Sequence, residues 1–281
     1  MTCDVEIQRK EELGPFKKIL QMLDSYSLRG TFFLIISQDN YDAFENLDLQ
    51  SYSERHEFGL HIHWGDSMKT GSSERTGLRS VPIGVLSSEI KCGIERCQKL
   101  GFTPKSFRGG GLCQTTEALK LISGHGFRVD SSVAARLNEK ERWFQRHLQV
   151  PYRSWYFPSK EGYHIPASNV EDRIGILEIP VTRLIPSLGS WFPYTLTPTT
   201  PLSKIIINEW LFKSHWESPL LITPIFHSWS QSDYRWHYNQ FLSKLSKMMK
   251  YILDRRLEPL TFREVCHLLK DGDDSINSDK E

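Results

Sequence analysis

Residues 31–36 read TFFLII. A β-branched and aromatic run with no polar alternation fits a strand covered on both faces, as parallel sheets require. Upstream of it, Phe16, Ile19, Leu20 and Leu23 follow helical spacing, with Pro15 suited to a first turn. Before that helix, residues 2–7 (TCDVEI) read as a short strand. Downstream, residues 56–64 (HEFGLHIHW) read as another strand. Residues 86–100 then turn helical, with Ile90, Ile94 and Cys97 on one face and Gly101 as the stop. The rhythm continues with strands at 105–108, 127–130, 174–179 and 220–226, and helices at 116–123, 201–212 and 233–256. Residues 259–269 read as a last short strand and helix. Strand then helix, repeated about seven times, predicts a parallel sheet with helices outside it. No glycine-rich phosphate loop follows the first strand, so a closed or nearly closed barrel is expected rather than an open sheet.

The chain has 281 residues, 25% charged and 39% hydrophobic, with 35 basic against 34 acidic side chains and a formal net charge of +1. A chain of this length fits one α/β barrel, expected over residues 1–270, with a core that needs no staples. The near-zero charge excludes wholesale capture of nucleic acid or of an anionic membrane. No apolar run approaches the ~18 residues of a membrane span. The opening MTCDVEIQRKEE mixes acidic and basic residues without an apolar stretch. It does not read as a signal peptide, and a cytoplasmic location is expected. The five cysteines are odd in number and scattered, unlike a disulfide framework; Cys92 and Cys97 read as buried or half-buried thiols. Residues 143–168 interrupt the rhythm with Trp143, Phe144, Tyr152, Trp155, Tyr156, Phe157 and Tyr163, as either a packed lid or a substrate platform. Residues 271–281 are polar and acidic, and disorder is expected there.

Four clusters fall where a parallel barrel places its chemistry, at the C-terminal ends of strands. Asp4 and Glu6 are two apart, so on a strand both carboxylates face one side, where they repel unless a metal or a proton relieves them. His61 and His63 are likewise two apart, opposite the apolar Phe58, Leu60, Ile62 and Trp64. Two imidazoles so placed can share one metal with a carboxylate. Alternatively, each pair is a set of satisfied polar groups at a strand end. Arg108 precedes Gly109, Gly110 and Gly111, which let the backbone turn sharply and approach a ligand closely, or form a plain turn. His227 ends the apolar stretch 224–226 and is followed by Ser228 and Trp229.

In this order the clusters resemble the polysaccharide deacetylases, the NodB-homology group of carbohydrate esterase family 4. Thr2-Cys3-Asp4-Val5-Glu6 resembles the first motif, commonly TFDDG, in the DxE form of divergent branches. Arg29-Gly30-Thr31-Phe32-Phe33 resembles the "AT-F-F" strand, and Glu57-Phe58-Gly59-Leu60-His61 the "hEIGxH" metal motif. Ser106-Phe107-Arg108-Gly109-Gly110 resembles "fRxPxG" and Gly126-Phe127-Arg128-Val129-Asp130-Ser131-Ser132 "GfxxDSS", while Phe226-His227 resembles the closing "LxxH". The resemblance runs from residue 2 to about 269 and implies a single distorted (β/α)7 barrel holding one divalent metal, usually zinc. It implies hydrolysis of an N-acetyl or similar acyl group on a sugar or surface-glycan precursor. It makes Asp4 the general base, Arg108 the residue that orients it and His227 the general acid.

The departures from the family pattern are specific. The second carboxylate, usually adjacent to the first, is Val5 here, and Glu6 is the nearby substitute. The second histidine, usually four after the first, is Gly65, so His63 or Asp66 must stand in. Gly110 occupies the proline position of the third motif. The expected site therefore comprises Asp4, Arg108 and His227 for catalysis and Glu6, His61 and His63 for metal. Gly109, Gly110, Asp130, Trp155 and Trp229 are expected to line the substrate. Two rivals keep the fold: a hydrolase of a non-sugar C–N bond, such as a formamide, cyclic imide or ureide, and a glycan-binding barrel without catalysis.

Overall fold

Thr2–Val5 (β1) and Thr31–Leu34 (β2) are buried at every position, as a central parallel strand requires. The structure, a computed structural model, describes residues 1–7, 10–37, 40–63, 81–112, 114–134, 153–161, 166–183, 196–199, 203–213, 219–228 and 235–269. Leu13–Ser25 (α1) connects the first two strands and buries Phe16, Ile19, Leu20 and Leu23, the residues whose spacing marks the helix. Two short helices, Tyr41–Glu45 (α2) and Leu49–Ser53 (α3), follow β2. They are too short to carry a readable period.

Beyond them lie Glu57–Ile62 (β3), Ile83–Lys99 (α4), Ser106–Gly109 (β4), Thr116–Gly124 (α5), Val129–Asp130 (β5) and Leu177–Glu178 (β6). Ser203–Lys213 (α6), Ile225–His227 (β7) and Arg235–Asp254 (α7) complete the alternation, followed by a helix at 262–269 (α8). Among the described residues the seven strands form one sheet in the order β6-β5-β4-β3-β2-β1-β7, every pair parallel. The sheet curls until its ends meet. The Thr182 N–H donates to Thr223 O at 3.0 Å and the Thr223 N–H to Thr182 Oγ1 at 2.8 Å, joining the chain after β6 to the chain before β7. This is the expected (β/α)7 barrel.

The expected strand at the start of 259–269 does not form. Thr261 instead caps α8 in a capping box: Glu264 N–H donates to Thr261 Oγ1, and the Glu264 carboxylate accepts from Thr261 N–H at 2.7 Å. The first turn of α8 closes the floor of the barrel, where Phe262 N–H donates to Thr31 Oγ1 and Arg263 N–H to Glu57 Oε2 at 2.7 Å. β6 is shorter than the expected 174–179 because Gly175, at φ 89°, turns the chain just ahead of it. Cys97 is buried and Cys92 half-buried, and both are free thiols. No helix among the described residues is long and apolar enough to cross a membrane. Most of the aromatic stretch, the tail at 271–281, Gly65, Asp66 and Trp229 lie outside the described residues.

Candidate active site

Strand register sets the site in two layers. Asp4 pairs with Phe33 on one side and with His227 on the other, and Phe33 pairs with Gly59. One step nearer the mouth, His61 pairs with Arg108. Alternation along β1 sends Asp4 inward and Cys3 and Val5 into the outer core. Glu6, just past the end of β1, faces the same side as Asp4 and closes on the two histidines.

Arg108 is fully buried and reaches from β4 across β3 and β2 to Asp4 on β1. Its guanidinium lies 4.2 Å over the Phe33 ring, a flat apolar support for a flat cation. Nη1 donates to Asp4 Oδ1 at 2.7 Å, and Nη2 donates to Thr2 Oγ1 and Ser131 Oγ. Nε donates to Ser131 O at 3.0 Å. Asp4 is only 3% exposed. Burial pushes its carboxyl up, but the charges of Arg108, His61 and His227 and the Arg108 hydrogen bond outweigh this and hold it below its ordinary value. Asp4 Oδ2 is turned toward His227 Nε2 at 3.8 Å and His61 Nε2 at 3.9 Å.

Glu6 Oε1 lies 3.1 Å from His63 Nε2 and 3.5 Å from His61 Nε2, and the two imidazole nitrogens are 3.2 Å apart. The three candidate ligand atoms lie within 4.8 Å of one another. His61 Nδ1 is 2.7 Å from Arg108 O, and because a carbonyl only accepts, Nδ1 carries the proton. In the neutral ring that leaves the Nε2 lone pair aimed at the cluster, the arrangement in which metal-bound histidines are held. Burial pushes Glu6 up, but the neighbouring imidazoles of His61 and His63 and the charges around it hold the carboxyl well below the usual carboxylate range. A permanent carboxylate with two convergent imidazoles is a donor set that fits a zinc-like cation.

Gly110 explains one departure from the family pattern by another. A Cβ at this position would sit 2.9 Å from His63 Cα and 2.5 Å from Cγ, inside the space of the ring. A proline would collide with His63, the candidate second imidazole ligand. We expect Gly110→Ala to displace His63 and weaken zinc binding by roughly 10–100-fold, as loss of ligand support does. A chelator competition assay reads this directly.

No family model matches the chain, and no curated protein is similar to it. Among solved structures, one provisionally assigned as a glycoside hydrolase/deacetylase from Parabacteroides distasonis superposes with a TM-score of 0.64 at 13% identity, over 94% of this chain and 64% of that one. A mutant of a CE4 family pseudoenzyme from Bacillus anthracis superposes at 0.50 with 12% identity, over 94% and 65%. The fold is that of the CE4 deacetylases. The chain spans less than two thirds of the length of either structure.

Within this deacetylase fold some expected residues lie elsewhere. Asp130 does not face the barrel interior. Alternation along β5 sends Ser131 inward to Arg108 and Asp130 to the outer face, where it is fully buried and bonded to Ser132 Oγ, Gln114 and Glu178. Gly109 is also buried, with its N–H donating to Ser132 Oγ at 2.8 Å. Trp155 is at the wrong end of the barrel. Its indole N–H donates to Pro219 O ahead of β7, and its ring packs with the cluster that holds Phe262 and Val265 of α8. Thr2, Phe33 and Ser131, which seat Arg108, were not expected. The one signal for Thr2 was its period-two spacing from Asp4.

Proposed function

We propose that this protein is a metal-dependent hydrolase that removes an acyl group from nitrogen, with N-acetylated carbohydrate as its substrate class. The observation that carries the reading is the division of Asp4. One oxygen is held by a buried arginine and the other is turned toward the Glu6–His61–His63 cluster. A divalent cation held by Glu6, His61 and His63 would supply the charge that polarises an acyl oxygen and lowers the pKa of a water toward ~7.

The chain's own groups divide the proton traffic. Asp4, kept ionised by Arg108, accepts the proton of the attacking water at Oδ2. His227, with a side chain 38% exposed, lies at the open side of Asp4 and protonates the nitrogen as the C–N bond breaks. Acid and base each typically supply ~10²–10⁴-fold. The carbohydrate class is supported by the likeness to a glycoside hydrolase/deacetylase.

Asp4→Asn tests this. The amide keeps an acceptor for Arg108 but cannot take the proton. Acetate release from N-acetylated amino-sugar oligomers should fall by at least ~10²-fold, with one equivalent of zinc still bound. Normal turnover in this variant would refute the assignment of the base. If only small amides or ureides are turned over, the substrate class shifts to a non-sugar C–N bond.

A further inference from the structure

His61 is tied to a buried acid pair outside the barrel by an unbroken run of hydrogen bonds. His61 Nδ1–H donates to Arg108 O at 2.7 Å. The N–H of that same peptide group belongs to Gly109 and donates to Ser132 Oγ at 2.8 Å. Ser132 Oγ donates in turn to Asp130 Oδ1 at 2.5 Å. Gln114 Nε2 donates to Asp130 Oδ2 at 3.3 Å, and Asp130 is hydrogen-bonded to Glu178, its register partner on β6. His61, Arg108, Ser132, Asp130 and Glu178 are all buried, so water does not compete along the run.

We propose that Ser132 and Asp130 are positioning residues for His61, acting through the Arg108–Gly109 peptide. The electron density that the Asp130 carboxyl oxygen pushes toward Ser132 polarises the peptide group. A polarised peptide presents a stronger acceptor to His61 Nδ1–H, which raises the basicity of Nε2, the atom that faces Glu6 and His63. Hydrogen bonds in a row strengthen one another by roughly 10–30% each. Asp130 and Glu178 are register partners and both are buried, and two carboxyl groups can share a hydrogen bond only with at least one proton between them. Burial pushes the Asp130 carboxyl up, against the effect of its neighbours Glu178, Ser132 and Gln114. The run also accounts for the Asp-Ser-Ser segment at the end of β5: Ser132 and Asp130 support His61 from behind, while Ser131 seats Arg108.

The inference rests on the metal reading of the Glu6–His61–His63 cluster, and the test separates the two. In Ser132→Ala the Gly109 N–H loses its acceptor. Zinc affinity, read by chelator competition, should fall about 10-fold, the low end for groups that support a metal ligand. The His61 Nδ1–H resonance of the metal-free protein should move upfield. Ser132→Thr, which keeps the hydroxyl, should restore both. Asp130→Asn, which keeps an acceptor for Ser132 Oγ but replaces the carboxyl with an amide, should give an intermediate shift and serves if Ser132→Ala does not fold. An unmoved resonance, with zinc affinity within about twofold of wild type, overturns the proposal. If the wild-type protein binds no zinc, the metal reading falls, and the resonance alone decides whether Ser132 and Asp130 act on His61.

Discussion

Replacing Arg108 with methionine should lower the midpoint of thermal unfolding by roughly 6–20 °C. Methionine fills most of the arginine's volume over Phe33 but leaves the Asp4 carboxylate buried without its cation. Removing one partner of a buried ion pair typically costs about 3–5 kcal/mol, and each kcal/mol is about 2–4 °C in a chain of this size. Thr2 and Ser131 lose their donor as well. The pH dependence gives the sign. In the wild type the folded pKa of Asp4 is depressed, so its contribution is present above the ordinary carboxylate range and is lost as pH falls through the folded value. In the variant, burial acts unopposed by the arginine and the folded pKa rises, so the penalty is largest at neutral pH and shrinks as Asp4 protonates. Urea unfolding at pH 7 and near pH 4 should show the difference between the two proteins narrowing. Adding Asp4→Asn to Arg108→Met should recover part of the loss, because the unpaired charge is gone. A midpoint within a degree or two of wild type would mean that Arg108 is not what keeps Asp4 charged.

His61→Ala should hold no zinc under conditions where the wild-type protein holds one equivalent. His61 offers the most firmly held candidate ligand nitrogen: it is buried, its Nδ1–H is fixed on Arg108 O, and its Nε2 lies 3.5 Å from Glu6. Alanine leaves two candidate ligands, fewer than the three protein ligands usual in a catalytic zinc site. Elemental analysis of protein prepared without a metal-binding tag reads the outcome. A full equivalent retained in His61→Ala would place the metal elsewhere. His63, with 29% of its side chain exposed, should give a weaker effect as His63→Ala.

The barrel was legible because its signal is local. Apolar spacing marks α1, and the unbroken run at 31–36 marks a strand covered on both faces. Period two also placed Asp4 with Glu6 and His61 with His63, since alternation fixes the face once a strand is granted. The same rule needs a register, and a two-residue strand such as β5 does not supply one. The pairing with β4 decides that Ser131 faces Arg108 and Asp130 faces away. Gly110 read as a missing proline, because the His63 ring that fills the space comes from a residue distant in sequence. Aromatic composition could not tell a lid from a floor; the bond to Pro219 and packing against the cluster that includes Phe262 put Trp155 on the floor.

β1 carries Asp4, the proposed base, and lies between β2 and β7, and Thr2 makes its side-chain bond to Pro224, 222 residues away in the chain. During synthesis at about 5–20 residues per second, β1 therefore waits roughly 10–45 s for its second neighbour. Through that interval one of its edges is unpaired, and the aspartate beside it lacks His227. An unpaired edge of this kind is a template for pairing with another chain. Nascent chains arrested before β7 are thus the species most exposed to aggregation, and a ribosome stall upstream of residue 225 yields a barrel that lacks a wall as well as His227.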